Sequence, residues 1–235
     1  MYNPIELSKK TEAIVTNENM KKYYRFRPTG FYGGIATADT VGCNIRCKFC
    51  WSSNSVWNAK NTGKFYSPEN VVDILQNIAH IKRYHQLRIS GGEPTIGRKH
   101  LITLLENINS KYLFILETNG ILLGNDETYV EELSKFKNLH VRVCFKGCNP
   151  EEFNMLTGAE KGFEYQIKAI EYLKDKKINF NIAIVTIKKD KNEFFNKLID
   201  MDLGKIMIED EEIKLYPHVK KRLEEEGLVQ YFESC

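Results

Sequence analysis

Cys43, Cys47 and Cys50 are the residues whose type and spacing point most directly to chemistry. Three thiolates at intervals of four and three residues can wrap one inorganic centre from a single loop. An ordinary cubane cluster uses four cysteines, and structural zinc also wants four ligands, usually as two separated pairs. The next candidates, His80 and Cys144, are remote in sequence, so the loop leaves one metal position open. An open position suits reactivity better than bracing. The structural alternative is a zinc knuckle completed by a remote ligand. Six cysteines in 235 residues are too few for a disulfide scaffold, and the crowding of three of them reads as metal or redox chemistry.

Three further segments carry polar groups that can serve a site. In Ser90-Gly91-Gly92-Glu93-Pro94 two glycines let a ligand approach the backbone, and the carboxylate can accept from an ammonium group. Glu117-Thr118-Asn119-Gly120 is a polar edge with a turn glycine, and Lys146-Gly147 closes an apolar run. None of the three is specific alone.

The elements that must position these segments alternate along the chain. Short apolar runs read as strands at 34–39, 87–90, 112–117, 140–146, 180–186 and 205–208. Helical faces lie between them. Ser67-Pro68 is an N-cap with a first-turn proline before Val71, Ile74, Leu75 and Ile78. Leu101, Leu104, Leu105 and Ile108 mark a second face, and Val130 and Leu133 follow the polar start at Asn125-Asp126. Phe163, Ile167 and Ile170 mark a fourth, and Asp190 and Glu193 have capping-box spacing before Phe194, Leu198 and Ile199. Six strands alternating with helices imply right-handed βαβ units, a parallel sheet and an α/β class. Eight such units typically need about 250 residues, so six fit and a full barrel does not. Functional loops in such architectures follow the C-terminal ends of strands, and every segment above falls there. The bases and aromatics of 21–27 read as a solvated edge segment, with a clamp for an anionic substrate as the alternative.

Together these residues resemble the radical S-adenosylmethionine superfamily. The Cys-x3-Cys-x2-Cys loop with Phe49 before its last cysteine looks like that superfamily's signature, and Gly91-Gly92-Glu93-Pro94 matches its second motif at the expected strand end. The resemblance implies a partial (β/α)6 TIM-like barrel over about 34–210, with outer helices and both termini packed on it as one domain, 1–235. It implies a 4Fe–4S cluster on Cys43, Cys47 and Cys50, with S-adenosylmethionine chelating the fourth iron. One-electron reduction by a flavodoxin or ferredoxin type of donor would give a 5′-deoxyadenosyl radical that abstracts hydrogen from a substrate. Glu93 and the Gly91-Gly92 backbone would hold the methionine amine, and the Phe49 backbone would contact adenine. Glu117, Asn119 and Lys146 would face the methionine carboxylate or the ribose. Glu93→Gln is expected to leave fold and cluster intact while weakening the cofactor.

Within the superfamily, the short chain and Glu117-Thr118-Asn119-Gly120 look like glycyl-radical-enzyme activases and 7-carboxy-7-deazaguanine synthases. Trp51 directly after Cys50 is similar to the wyosine-forming tRNA enzymes, which are longer and more basic. The substrate, whether small molecule, peptide or protein, stays open. A different class is a non-catalytic iron–sulfur or zinc-binding module. Alternation on 140–146 puts Arg142, Cys144 and Lys146 on one face, where the Cys144 thiol is a candidate hydrogen-atom donor. An inert buried cysteine, or an auxiliary cluster with Cys148 and Cys235, are the other readings.

Composition narrows the class. With 34 basic against 31 acidic side chains the formal charge is +3, too small to argue for nucleic acid as main partner. A hydrophobic share of 42% excludes a disordered chain. No run approaches the roughly 20 apolar residues of a spanning helix, and no signal peptide opens the chain, so a cytoplasmic protein is expected.

Overall fold

Alternation along the strands sets the architecture. In the computed structural model, which describes residues 1–188 and 190–232, the central parallel strand runs Leu139–Lys146. Its Val141, Val143 and Phe145 are fully buried in the core between sheet and helices. Its Arg142, Cys144 and Lys146 face the opposite way, as two-residue periodicity requires. Phe145 meets Phe163 and Phe194 edge-on, at 5.9 and 5.3 Å between ring centroids, which locks the helices carrying them against the sheet.

The chain opens with α1 (Pro4–Val15), β1 (Thr16–Asn17), β2 (Met20–Thr29) and β3 (Ile35–Thr40), followed by α2 (Ser53–Trp57), β4 (Lys64–Tyr66) and α3 (Pro68–Lys82). Then come β5 (Gln86–Gly91), α4 (Arg98–Asn107), β6 (Leu113–Thr118), α5 (Ile121–Asn125), α6 (Glu127–Leu133) and β7, the central strand above. The last part holds α7 (Pro150–Thr157), α8 (Gly162–Asp175), β8 (Asn179–Val185), α9 (Asn192–Asp200), β9 (Ile208–Asp210) and α10 (Pro217–Glu225).

Strand order is β1-β2-β3-β5-β6-β7-β8-β9, with β4 on β2. The six strands β3, β5, β6, β7, β8 and β9 run parallel and in chain order, as the alternation predicts. The fold is α/β, a partial TIM-like barrel. Tyr32 Oη lies 3.4 Å from Glu209 Oε2, so a side-chain contact spans from the loop after β2 to β9. The inner face is polar. Arg88 meets Thr37 and Glu117, Arg142 meets Glu209 and Glu211, and Asn181 joins Glu209 to His140.

Helix α3 forms as its caps dictate. Ser67 accepts from Asn70 N, Pro68 takes the first turn, and Val71, Val72, Leu75 and Ala79 are buried. Asp126 caps α6 as expected. Asp190 accepts from Asn192 N in an Asx turn, so the expected box with Glu193 is replaced by a local bond.

Two expectations are corrected. Segment 21–27 is no solvated edge: it lies in β2, antiparallel to β3, and Lys21 and Lys22 are buried. Their Nζ atoms are satisfied by backbone carbonyls, while burial still pulls the Lys21 pKa down to about 7. The last strand lies at Ile208–Asp210 rather than 205–208, because pairing with Ile182–Ile184 selects the register.

Candidate active site

The cysteine loop leaves the end of β3 and is held from three directions. Arg46 Nη1 donates to the carbonyls of Cys43 and Ile45, at 2.7 and 3.0 Å. Arg222 of α10 donates to the carbonyls of Lys48 and Cys50, both at 2.7 Å. Tyr2 Oη accepts from Arg46 N at 2.6 Å. Both guanidiniums also lie over the Trp57 ring, at 5.8 and 4.7 Å from its centroid. The loop is therefore braced by groups of the chain itself.

Cys43 and Cys47 are buried and Cys50 is half-buried. Burial pushes the Cys43 thiol up to about 12 and raises Cys47 and Cys50 as well, because a bare thiolate loses its hydration there. A bound cation would reverse that balance and deprotonate the ligating thiols. Among the described residues no trio of Cys, His, Asp or Glu converges tightly enough for a single ion. A cubane sets each cysteine on a different iron, so it does not need such convergence. The buried amide of Asn44 supplies a second sign of fit. Asn119 Oδ1 accepts from Ile121 N, so its Nδ2 must donate to Asn44 Oδ1, at 2.7 Å. Asn44 Nδ2 is then left without a partner in a fully buried position beside Cys43. A buried donor without a partner, in the residue that follows Cys43, fits a site for an anionic group held by these thiols.

All three thiols open on one cavity of about 160 Å³. Gly91, Gly92 and Glu93 line it from the end of β5, Glu117 and Asn119 from the end of β6, and Cys144 and Lys146 from β7. Phe49 lines it too, with the Lys146 ammonium over its ring, 5.7 Å from the centroid. Every residue singled out from the sequence for cluster or cofactor thus borders the same space.

The reasons for these residue types are partly new. A Cβ on Gly92 would sit 2.0 Å from Gly42 O, and Gly91 has φ +97° with Thr40 N close by. The glycines therefore let the turn after β5 press against the exit of β3, where Gly92 N and Glu93 N donate to Thr40 O and Gly42 O. Glu93 is buried, and its carboxylate takes four internal donors: Thr95 N, Thr95 Oγ1 and Thr118 Oγ1 at Oε1, and Asn119 N at Oε2. Oε2 keeps room for one donor more. Glu117 is salt-bridged to Arg88 at 3.0 Å and accepts from Ser90 Oγ at 2.6 Å.

Several site residues escaped sequence reasoning. Glu211, just beyond β9, binds Lys146 Nζ at 3.0 Å and Arg142 Nη1 at 3.3 Å and lines the cavity. Burial opposes its charge, but the two cations win and hold its pKa down at about 2. Burial likewise opposes the charge of Lys146, but Glu211 together with the nearby Cys144 and Cys47 raises its pKa. Lys21 sends Nζ to the carbonyls of Glu93, Pro94 and Ile96, at 3.1, 2.7 and 2.5 Å, and so fastens the segment after the glycines. Only the short alternation Tyr24-Arg25-Phe26-Arg27 hinted at a strand there. Cys144 shares the cavity, whereas Cys148 donates to Thr186 Oγ1 outside it, and Cys235 lies outside the described residues.

Comparison with known proteins places this geometry. The Radical SAM superfamily matches residues 38–201. A 7-carboxy-7-deazaguanine synthase of Hyperthermus butylicus is 40% identical over 85 residues, covering 35% of this chain and 33% of its own. A probable GTP 3′,8-cyclase of Methanosarcina acetivorans is 29% identical over 140 residues, covering 59% of this chain and 40% of its own. The chain thus spans well under half the length of these curated relatives. Among solved structures, Streptococcus suis SuiB bound to S-adenosylmethionine superposes with a TM-score of 0.58 at 21% identity, over 83% of this chain and 46% of that one. At that identity the likeness shows the fold alone.

Proposed function

The chain belongs to the radical SAM superfamily, and from that premise we propose that it is an enzyme that cleaves S-adenosylmethionine reductively and abstracts hydrogen from a second substrate. The superfamily's cofactors are a 4Fe–4S cluster and S-adenosylmethionine. When bound and reduced, they supply a 5′-deoxyadenosyl radical. Cys43, Cys47 and Cys50 would hold the cluster. The Gly91-Gly92 backbone and the spare position at Glu93 Oε2 would take the methionine ammonium. Lys146 would meet the methionine carboxylate and Glu117 a ribose hydroxyl, while Asn119, its amide spent on Asn44, would keep the loop in place. The Phe49 backbone would contact adenine. Ile45, Phe49, Val56 and Ile213 make the apolar wall that keeps water from the reacting atoms.

Cys144 would donate a hydrogen atom to the substrate radical. Burial pushes its pKa up to about 12, so Sγ retains the hydrogen it must give. The C–H bond forms as the S–H bond breaks, and one electron from the external donor plus a proton restores the thiol. That donor would be of the flavodoxin or ferredoxin type. We favour a small-molecule substrate, since the relatives are named for a carboxylated deazaguanine and for GTP.

The observation that carries this reading is the meeting of three thiols on a braced loop with Gly91–Glu93 around one cavity. Anaerobic reconstitution followed by reduction tests it. Brown protein with about four irons per chain and release of 5′-deoxyadenosine is the expected result; a colourless zinc protein would overturn it.

A further inference from the structure

Beside the cysteine cavity lies a second concavity of about 750 Å³, and Trp51 and Ser52 line both. We propose that this groove anchors the substrate, and that the substrate is a small molecule whose planar aromatic ring carries a carboxylate or phosphate. The inference rests on reading the neighbouring cavity as the radical site.

Charge comes first. Arg25 and Arg27 of β2 line the groove, Lys214 lines it with its ammonium held by Glu212, and no carboxylate lines it among the described residues. The antiparallel register sets Arg25 opposite Asp39, whose side chain is 2% exposed and binds the Nε atoms of both arginines, at 2.7 and 2.8 Å. One buried carboxylate thus fixes two guanidiniums and neutralises one. Arg25 spends its Nε on Asp39 while its side chain stays 50% exposed. It also meets the Tyr24 side chain, and the exposed N–H groups it keeps can donate to a carboxylate or phosphate.

Rings come second. Phe31, Trp51 and Tyr216 are exposed although large and apolar. Trp51 and Tyr216 stand edge to face at 6.5 Å, and Tyr216 stacks on His218 at 6.0 Å with 4° between planes. His218 Nε2 lies 3.1 Å from Trp51 O, which ties this aromatic wall to the residue after Cys50. Exposed rings of fixed orientation beside a cation favour a flat, anion-bearing partner. The volume lies in the range of small-ligand sites.

Calorimetric titration of the reconstituted, S-adenosylmethionine-loaded protein tests this with GMP against guanosine and pterin-6-carboxylate against pterin. At least one anionic probe should bind ten-fold or more tighter than its neutral parent. GMP alone would identify a phosphate, pterin-6-carboxylate alone a carboxylate. Arg25→Gln, which leaves Arg27 on Asp39, should abolish most of that difference, and Tyr216→Leu should weaken both members of the pair several-fold. Equal binding of neutral and anionic probes, no binding by any probe, binding only of an acidic peptide, or undiminished affinity in Arg25→Gln overturns the proposal. Release of 5′-deoxyadenosine without probe binding sinks the groove and leaves the radical reading; probe binding without that release does the reverse.

Discussion

Replacing Glu93 by glutamine probes the joint on which the site hangs. The sequence reading expects fold and cluster intact in Glu93→Gln; the structure predicts a measurable loss of stability. Glutamine can keep one oxygen where Oε1 receives Thr95 N, Thr95 Oγ1 and Thr118 Oγ1. Its amide nitrogen must then face Asn119 N, donor against donor, in place of the 2.8 Å bond at Oε2. Losing that charge-assisted bond and stranding a buried N–H costs about 1.5–3 kcal/mol. The other three bonds fall from charged to neutral strength, a further 0.5–1 kcal/mol each at roughly the same level of approximation. The total is about 3–6 kcal/mol, at the upper end of single substitutions. Urea unfolding of the reconstituted protein, followed by circular dichroism, should show the midpoint fall with an unchanged slope. S-adenosylmethionine affinity of the folded fraction should weaken about ten-fold, one charge-assisted contact. An unfolding free energy within about 1 kcal/mol of wild type would refute the joint, and unchanged affinity would remove Glu93 from the cofactor site.

Alanine at Cys43, Cys47 or Cys50 should strip most iron, measured by chelation assay, because two thiolates cannot anchor a cubane; Cys144→Ala and Cys148→Ala should keep it. Cys144→Ala should further release 5′-deoxyadenosine while stalling product, and full product yield would leave the thiol a packing residue. Lys21→Met removes the donor shared by three buried carbonyls, so thermal unfolding should reveal a loss of about 2–4 kcal/mol and cofactor affinity should drop; neither changing would show that this ammonium fastens nothing. His100 is buried between Tyr23 Oη and Asn19 O, and burial pulls its pKa down to about 4. The unfolded chain therefore binds the extra proton first, and stability falls as pH drops from about 6.5 to 4, by about 3 kcal/mol from this residue. His100→Asn should flatten that slope in urea titrations across the window, and a slope identical to wild type would contradict the assignment.

How far sequence reading reached depended on the distance between interacting residues. Ser67-Pro68 and the face Val71–Leu75 predict α3 because capping and helical periodicity act within four residues. The strand ends carrying Glu93, Glu117 and Lys146 are legible for the same reason: parallel α/β units place polar turns at one rim. The run at 21–27 misleads because its charge signals solvent, and only contacts more than 70 residues away, at Glu93, Pro94 and Ile96, satisfy Lys21 in the interior. Glu211 escapes because nothing beside it reveals Lys146, 65 positions earlier.

Cys43, Cys47 and Cys50 lie on one loop, so their spacing alone marks them as candidates to share one inorganic centre, without help from the fold. Gly91-Gly92-Glu93, Glu117, Asn119 and Lys146 could be named as types, but the tertiary structure decided their roles. It turned Glu93 into a four-donor joint, spent Asn119 on Asn44, and set Lys146 against Glu211. It also brought Arg25 and Arg27 over Asp39 and Tyr216 against Trp51, making a groove from both ends of the chain. Covalent spacing encodes which atoms can share a loop. Which carboxylate meets which cation is set by sheet register and the burial of charge, and those exist only once distant strands have paired.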